Sequence, residues 1–286
     1  LRILFIGNSF TLDAVNRLPG FISAAGLDGI QMTHMYYGGR TIPEYCSTFS
    51  SAKDYSCFQC GLGRENWFTE TGKTIEDIVK ICDWDIITIQ EHTGTPSAWY
   101  WEQASSRVPE LTEKAAVEGL VAKIKAACPN KDVKIYYLLS QAYGKSSTVL
   151  KNYFSKDQSK MFTTICDMAK KAMDTGLFAG VISTAAALQN LRGTSLNTDM
   201  DLTRDTYHMD YGRARFTASE LMFESLISTS EYGKGVKLDN TTYRVTENNT
   251  ESGTYCSPVD DAAAKICLKA ARAAIEKPFE VTKISE

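Results

Sequence analysis

The stretch Ile3-Leu4-Phe5-Ile6-Gly7-Asn8-Ser9-Phe10-Thr11 decides the fold. Four consecutive apolar residues suit a central parallel strand covered on both faces, and Gly7 stops the run where a sharp turn is easiest. A strand ending this way presents Ser9 at its carboxyl edge, where open α/β sheets collect their working groups. Two readings of Ser9 stand side by side: a nucleophile at the sheet edge, or the cap of a helix beginning near Asp13.

Working outward, strand-like segments at 2–6, 30–36, 84–90, 133–139 and 179–183 alternate with helix-like segments near 13–25, 74–82, 110–127, 157–175 and 210–228. Such alternation predicts a three-layer α/β/α fold around a mostly parallel five-stranded sheet, and 286 residues suit a single domain, 1–286. A last helix, about 259–276, follows Ser257-Pro258 and carries Ala263, Ile266, Cys267, Ala270, Ala271 and Ala274 on one stripe, which is expected to pack on the sheet. Long connections at 40–73, 91–109 and 140–156 interrupt the rhythm. They hold Trp67, Trp99, Tyr100 and Trp101, whose rings either offer faces to a substrate or pack the loops down. The segment 230–257, rich in Asn, Thr, Ser and Gly, reads as an irregular surface excursion.

Composition narrows the function classes. With 43% hydrophobic and 23% charged residues the chain is an ordinary globular protein. A net charge of -3 and a pI near 5.8 give no basic field for nucleic acid. No apolar run reaches the roughly 18 residues of a membrane span. The numbering opens inside a strand without a basic leader, so an export signal was trimmed or never existed; an extracytoplasmic location is weakly favoured. No G-x-G-x-x-G or P-loop follows the first strand, which argues against a nucleotide-binding protein.

Of the eight cysteines, Cys82, Cys128, Cys166 and Cys267 fall on apolar helix faces, where a thiol behaves as a small hydrophobe. Cys57-Phe58-Gln59-Cys60 is a C-x-x-C, but further ligands at zinc spacing are missing, so it reads as a loop disulfide or two free thiols rather than a metal site. The three histidines make a sharper test. His34 lies inside a strand and reads as a core residue. His92 follows the third strand at the active edge, within reach of substrate, with Glu91 as its one nearby acid. His208 sits in Asp205-Thr206-Tyr207-His208, a spacing that lets the carboxylate reach Nδ1 and leave Nε2 to accept a serine proton. Asp201 and Asp210 are competing carboxylates.

Taken together these residues resemble the SGNH (GDSL-like) hydrolase superfamily. Gly7-Asn8-Ser9-Phe10-Thr11 matches its first block, Gly38-Gly39 its second, and Asp205-Thr206-Tyr207-His208 with Tyr211-Gly212-Arg213 its last. The third block departs from the usual Gly-x-Asn-Asp: the strand ends Ile89-Gln90-Glu91-His92, as in an uncharacterised bacterial branch in which glutamine replaces the asparagine. The resemblance implies a flavodoxin-like fold and a cofactor-free, metal-free esterase in which Ser9 attacks, His208 is the general base and Asp205 orients it. It further implies an oxyanion hole of the Ser9 and Gly39 backbone N–H groups and the Gln90 side chain, with Gly38, His92, Trp67, Trp99 and Trp101 as candidate substrate contacts. Many relatives remove acetyl or other short acyl groups from carbohydrates, so the expected partner is a small or glycan ester. The alternatives are a lipase or thioesterase with the same triad, and a glycan-binding protein that keeps the scaffold without catalysis.

Overall fold

The strand β1 (Arg2–Gly7) is buried at every position after its first, as its apolar run requires. It belongs to a sheet with β2 (Gln31–Tyr36), β3 (Ser56–Gly61), β4 (Phe68–Thr71), β5 (Ile86–Gln90), β6 (Lys134–Leu139) and β7 (Gly180–Ser183), in the order β4-β3-β2-β1-β5-β6-β7. The structure, a computed structural model, describes residues 1–61, 68–233, 235–239 and 255–286. Parallel pairing joins β1 to β2, β1 to β5 and β5 to β6, which gives the expected α/β core. The sheet has seven strands rather than five, because the connection 40–73 folds: β3 runs antiparallel to β2, and β4 antiparallel to β3. An antiparallel pair needs only a short return, so a segment that looked like a loop extends the sheet edge.

The helices are α1 (Ser9–Val15), α2 (Leu18–Ala24), α3 (Ile42–Ser47), α4 (Ile75–Lys80), α5 (Glu113–Ala127), α6 (Thr148–Tyr153), α7 (Gln158–Asp174), α8 (Thr184–Arg192), α9 (Arg213–Met222) and α10 (Asp261–Glu276). The helix expected over 13–25 is two short ones, the first starting at Ser9 and the second carrying Pro19 in its opening turn, where a missing N–H costs nothing. A π-helical turn, Phe223–Ser228, continues α9.

The chain forms two compact units. The first comprises Leu1–Leu12, Gly29–Ser140 and Thr164–Val181. Here α5 starts on a Thr112 cap, whose hydroxyl accepts from the Ala115 N–H at 3.1 Å, and turns Ala116, Val117, Leu120, Val121 and Ile124 inward to pack on α3 and α4. The second comprises Asp13–Asp28, Gln141–Thr163 and Ile182–Glu286. In it α10 packs on α8 and α9, and its inner stripe is Ala263, Ala264, Cys267, Leu268, Ala270, Ala271 and Ala274. Small residues let three helices approach closely, and Leu268 alone contributes about 2 kcal/mol of burial. The excursion expected over 230–257 lies mostly at 240–254, outside the described residues. Among the described residues no helix is long and apolar enough to cross a membrane, and all eight cysteines are unbridged. Cys57 and Cys60 are buried thiols of strand β3, not loop residues.

Candidate active site

At the end of β1 the backbone turns directly into α1, and a buried Asn8 organises the turn. Its Oδ1 accepts from the Phe10 N–H at 3.0 Å and its carbonyl from the Leu12 N–H at 3.1 Å, so Asn8, not Ser9, supplies the capping bond of the first turn. Ser9, partly exposed, is the first helical residue. Gly7 is needed for closeness rather than for an unusual dihedral: a Cβ there would stand 2.0 Å from Thr11 Oγ1 and 3.0 Å from Gln90 Oε1.

Gln90 closes the turn from β5. Fully buried, its Oε1 accepts from the Asn8 N–H at 3.0 Å and from Thr11 Oγ1 at 3.1 Å, while its Nε2 donates to the Glu91 carbonyl. The amide expected to serve an oxyanion is therefore engaged in holding the β1–α1 turn. The extra methylene relative to asparagine is what lets it reach back to the backbone. Asn8 also ties in the second block, since its Nδ2 donates to the Arg40 carbonyl at 3.0 Å.

The loop Tyr37–Arg40 carries the two glycines. Gly39 takes φ +69°, a left-handed conformation that other residues adopt at a cost of roughly 1–2 kcal/mol, and its carbonyl accepts from Arg107 Nη1 at 2.6 Å. Glu91 braces the same loop: its Oε2 accepts from the Ile42 N–H at 2.7 Å and its Oε1 from the His92 N–H at 2.6 Å. Beside it lies the equally buried Glu113 of α5. Burial pushes Glu91 up to about 7, and burial together with the neighbouring Glu91 pushes Glu113 well above the carboxylate range. Ser9, Gly39 and Gln90 thus belong to one hydrogen-bonded corner of the first unit.

The aromatic candidates fall differently. Trp99 and Trp101 are buried, with the Trp99 indole N–H donating to the Thr93 carbonyl at 2.8 Å; they fasten the loop and offer no face to a ligand. Their neighbour Tyr100 is the exposed ring. Trp67 lies outside the described residues. His92 stacks on Phe10 with ring centroids 5.3 Å apart. Beside Gly38 stands Tyr37, which sequence reasoning passed over: 36% exposed, it is backed by the Arg40 guanidinium 3.8 Å from its ring centre, itself paired with Asp54. His34 is fully buried in β2, and burial pushes its pKa down to about 3, which leaves a neutral core imidazole.

In the second unit the Asp-x-x-His spacing does what it predicts. The Asp205 carboxylate spans its own turn: Oδ1 accepts from the His208 N–H at 2.8 Å, and Oδ2 lies 2.6 Å from His208 Nδ1. Burial raises the Asp205 carboxyl and the His208 hydrogen bonds outweigh it, leaving it below its usual range. An ionised carboxylate only accepts, so Nδ1 donates to it, and the neutral imidazole in this orientation keeps its lone pair on Nε2. The rival acids are committed elsewhere. Asp210 caps α9 through the Gly212 and Ala214 N–H groups and accepts from Ser257 Oγ at 2.6 Å. Asp201 accepts from the Lys145 N–H at 2.6 Å and pairs with its ammonium. Tyr207 presents a 37% exposed ring 4.4 Å from the imidazole.

These residues stand on an α/β scaffold with a mostly parallel central sheet. The chain belongs to the DUF4886 family, a domain of unknown function, whose model matches residues 2–253. A DUF4886 family protein from Bacteroides uniformis is similar over 99% of this chain and 97% of its own, with 28% identity and a TM-score of 0.76. The acetylxylan esterase Axe2 from Geobacillus stearothermophilus, solved as a catalytic mutant, covers 81% of this chain and 95% of its own at 13% identity and a TM-score of 0.51, a likeness of fold. No curated protein matches the chain in sequence.

Proposed function

We propose that this protein is a serine esterase that removes a short acyl group, acetyl foremost, from a carbohydrate ester. The observation that carries the reading is the 2.6 Å contact between His208 Nδ1 and Asp205 Oδ2, which prepares Nε2 as a base. Ser9 Oγ attacks the ester carbonyl as Nε2 takes its proton. The tetrahedral oxyanion is received by the Ser9 and Gly39 backbone N–H groups, and the imidazolium then protonates the departing sugar alkoxide. Water, deprotonated by the same imidazole, releases the acid from the acyl-enzyme. Gln90 supports this chemistry by holding the turn that carries Ser9. Tyr37 and Tyr207, exposed rings next in sequence to Gly38 and His208, take the role of sugar platforms that the buried tryptophans cannot fill.

Hydrolysis of an aryl acetate by wild type, Ser9→Ala and His208→Ala tests the triad. Loss of turnover in both variants, by at least about 10³-fold, is expected. Retained turnover in Ser9→Ala contradicts it, and no turnover in wild type across aryl and glycan esters favours a non-catalytic glycan binder. A rising preference with acyl length would assign the centre to lipids instead.

A further inference from the structure

We infer that Asp13 is the positioning residue of the Asp205–His208 pair, gripping both ends of the turn that carries it. Asp13 lies four residues after Ser9 in α1 and is completely buried. Its carboxylate accepts from Arg204 Nη1 at 3.0 and 3.1 Å, from Arg215 Nε and Nη2 at 2.9 and 2.6 Å, and from the Met209 N–H at 3.1 Å. Arg204 immediately precedes Asp205, and Met209 immediately follows His208. One carboxylate therefore clasps the residues on either side of the four-residue turn.

The turn needs the clasp. Thr206, inside it, has φ +77°, a left-handed conformation that a β-branched residue adopts only when its surroundings impose it. Three hydrogen bonds hold it: the Arg204 N–H donates to the His208 carbonyl at 3.0 Å, the Gly144 N–H to the Thr206 carbonyl at 2.7 Å, and Gln141 Nε2 to the Tyr207 carbonyl at 2.8 Å. The Arg204 guanidinium also donates to the Met209 carbonyl, and both arginines lie over the Tyr211 ring, 4.8 and 4.6 Å from its centre.

Two arginines on one carboxylate separate stability from positioning. Arg215, on α9, makes two bonds to Asp13 and by itself answers the buried charge. Arg204 is the partner that reaches the histidine turn. Arg204→Met therefore releases one end of the turn while Asp13 keeps Arg215 and the Met209 N–H.

The kinetic consequence rests on the proposed esterase; the structural one does not. In proton NMR of the wild type the short His208–Asp205 hydrogen bond is expected to give a far-downfield imidazole signal, assigned by its loss in His208→Ala. Arg204→Met is expected to lose that signal with unchanged far-UV circular dichroism, and to lower kcat on an aryl acetate about 10²-fold at nearly constant KM. Should Arg204→Met fail to fold, Arg204→Gln, which also removes the ion pair to Asp13, is judged in the same way. A downfield signal of wild-type intensity in the folded variant overturns the inference. Activity persisting in Ser9→Ala would sink the esterase reading alone, and the NMR signal would still decide the role of Asp13.

Discussion

Replacing Gln90 by Met separates two roles for this side chain. The substitution keeps the length of the side chain and removes the oxygen that accepts from the Asn8 N–H at 3.0 Å and Thr11 Oγ1 at 3.1 Å. Leaving a buried donor unsatisfied costs about 1–3 kcal/mol. The Asn8 N–H, fixed in the backbone, bears that in full, whereas the Thr11 hydroxyl can rotate and adds less, for a total of about 2–4 kcal/mol. At roughly 2–4 °C per kcal/mol the thermal midpoint should fall by about 5–15 °C. A direct oxyanion donor would behave differently: turnover would drop about 10²–10³-fold with the midpoint unmoved. Scanning calorimetry beside aryl acetate kinetics decides between them. A wild-type midpoint together with that loss of kcat would refute the turn-holding role.

The buried acid pair gives stability an unusual pH dependence. Because burial raises Glu91 to about 7 and Glu113 further above its ordinary value, the folded chain binds more protons than the unfolded one above the usual carboxylate range, so stability falls as pH rises from about 4.5 through 7. Glu113→Gln, which removes one of the two buried acids, should flatten that decline in urea titrations between pH 5 and pH 8; parallel curves for the two proteins would contradict this origin of the pH dependence. Gly7→Ala should collapse the β1–α1 turn, because its Cβ would stand 2.0 Å from Thr11 Oγ1, and soluble yield and unfolding midpoint should both drop. Gly20→Ala, in the exposed face of α2 with nothing within 4 Å, should raise the midpoint instead, by roughly 0.5–1 kcal/mol of stability.

The parts legible in the sequence were those with local signals. β1, β5 and β6 are apolar runs of strand length, and Asp205-x-x-His208 places two partners one turn apart, so both were readable from spacing. β3 and β4 were not, because Ser56–Gly61 mixes polar with apolar residues and is only partly buried, next to the edge strand β4. α8 hid behind β7, although Ser183 signals its start: the hydroxyl accepts from the Ala186 N–H at 3.0 Å. Glu91 and Glu113 stand twenty-two positions apart and Asp13 is nearly two hundred from Arg204, so no spacing rule joins them. The turn-holding contacts of Gln90 are hidden for a related reason, since its residue type suggests a donor while its acceptor oxygen reaches the Asn8 N–H and Thr11. The tryptophans show that an aromatic in a loop says nothing about which way it faces.

The proposed esterase stands on Ser9 as a nucleophile activated by His208. Incubation with an aryl fluorophosphonate, in which the serine oxygen bonds to phosphorus and fluoride departs, followed by intact-mass and peptide mapping, tests it most directly. One adduct per chain is expected, on Ser9, absent from Ser9→Ala and much slowed in His208→Ala. No adduct on Ser9, or equal labelling in the His208→Ala variant, would contradict it.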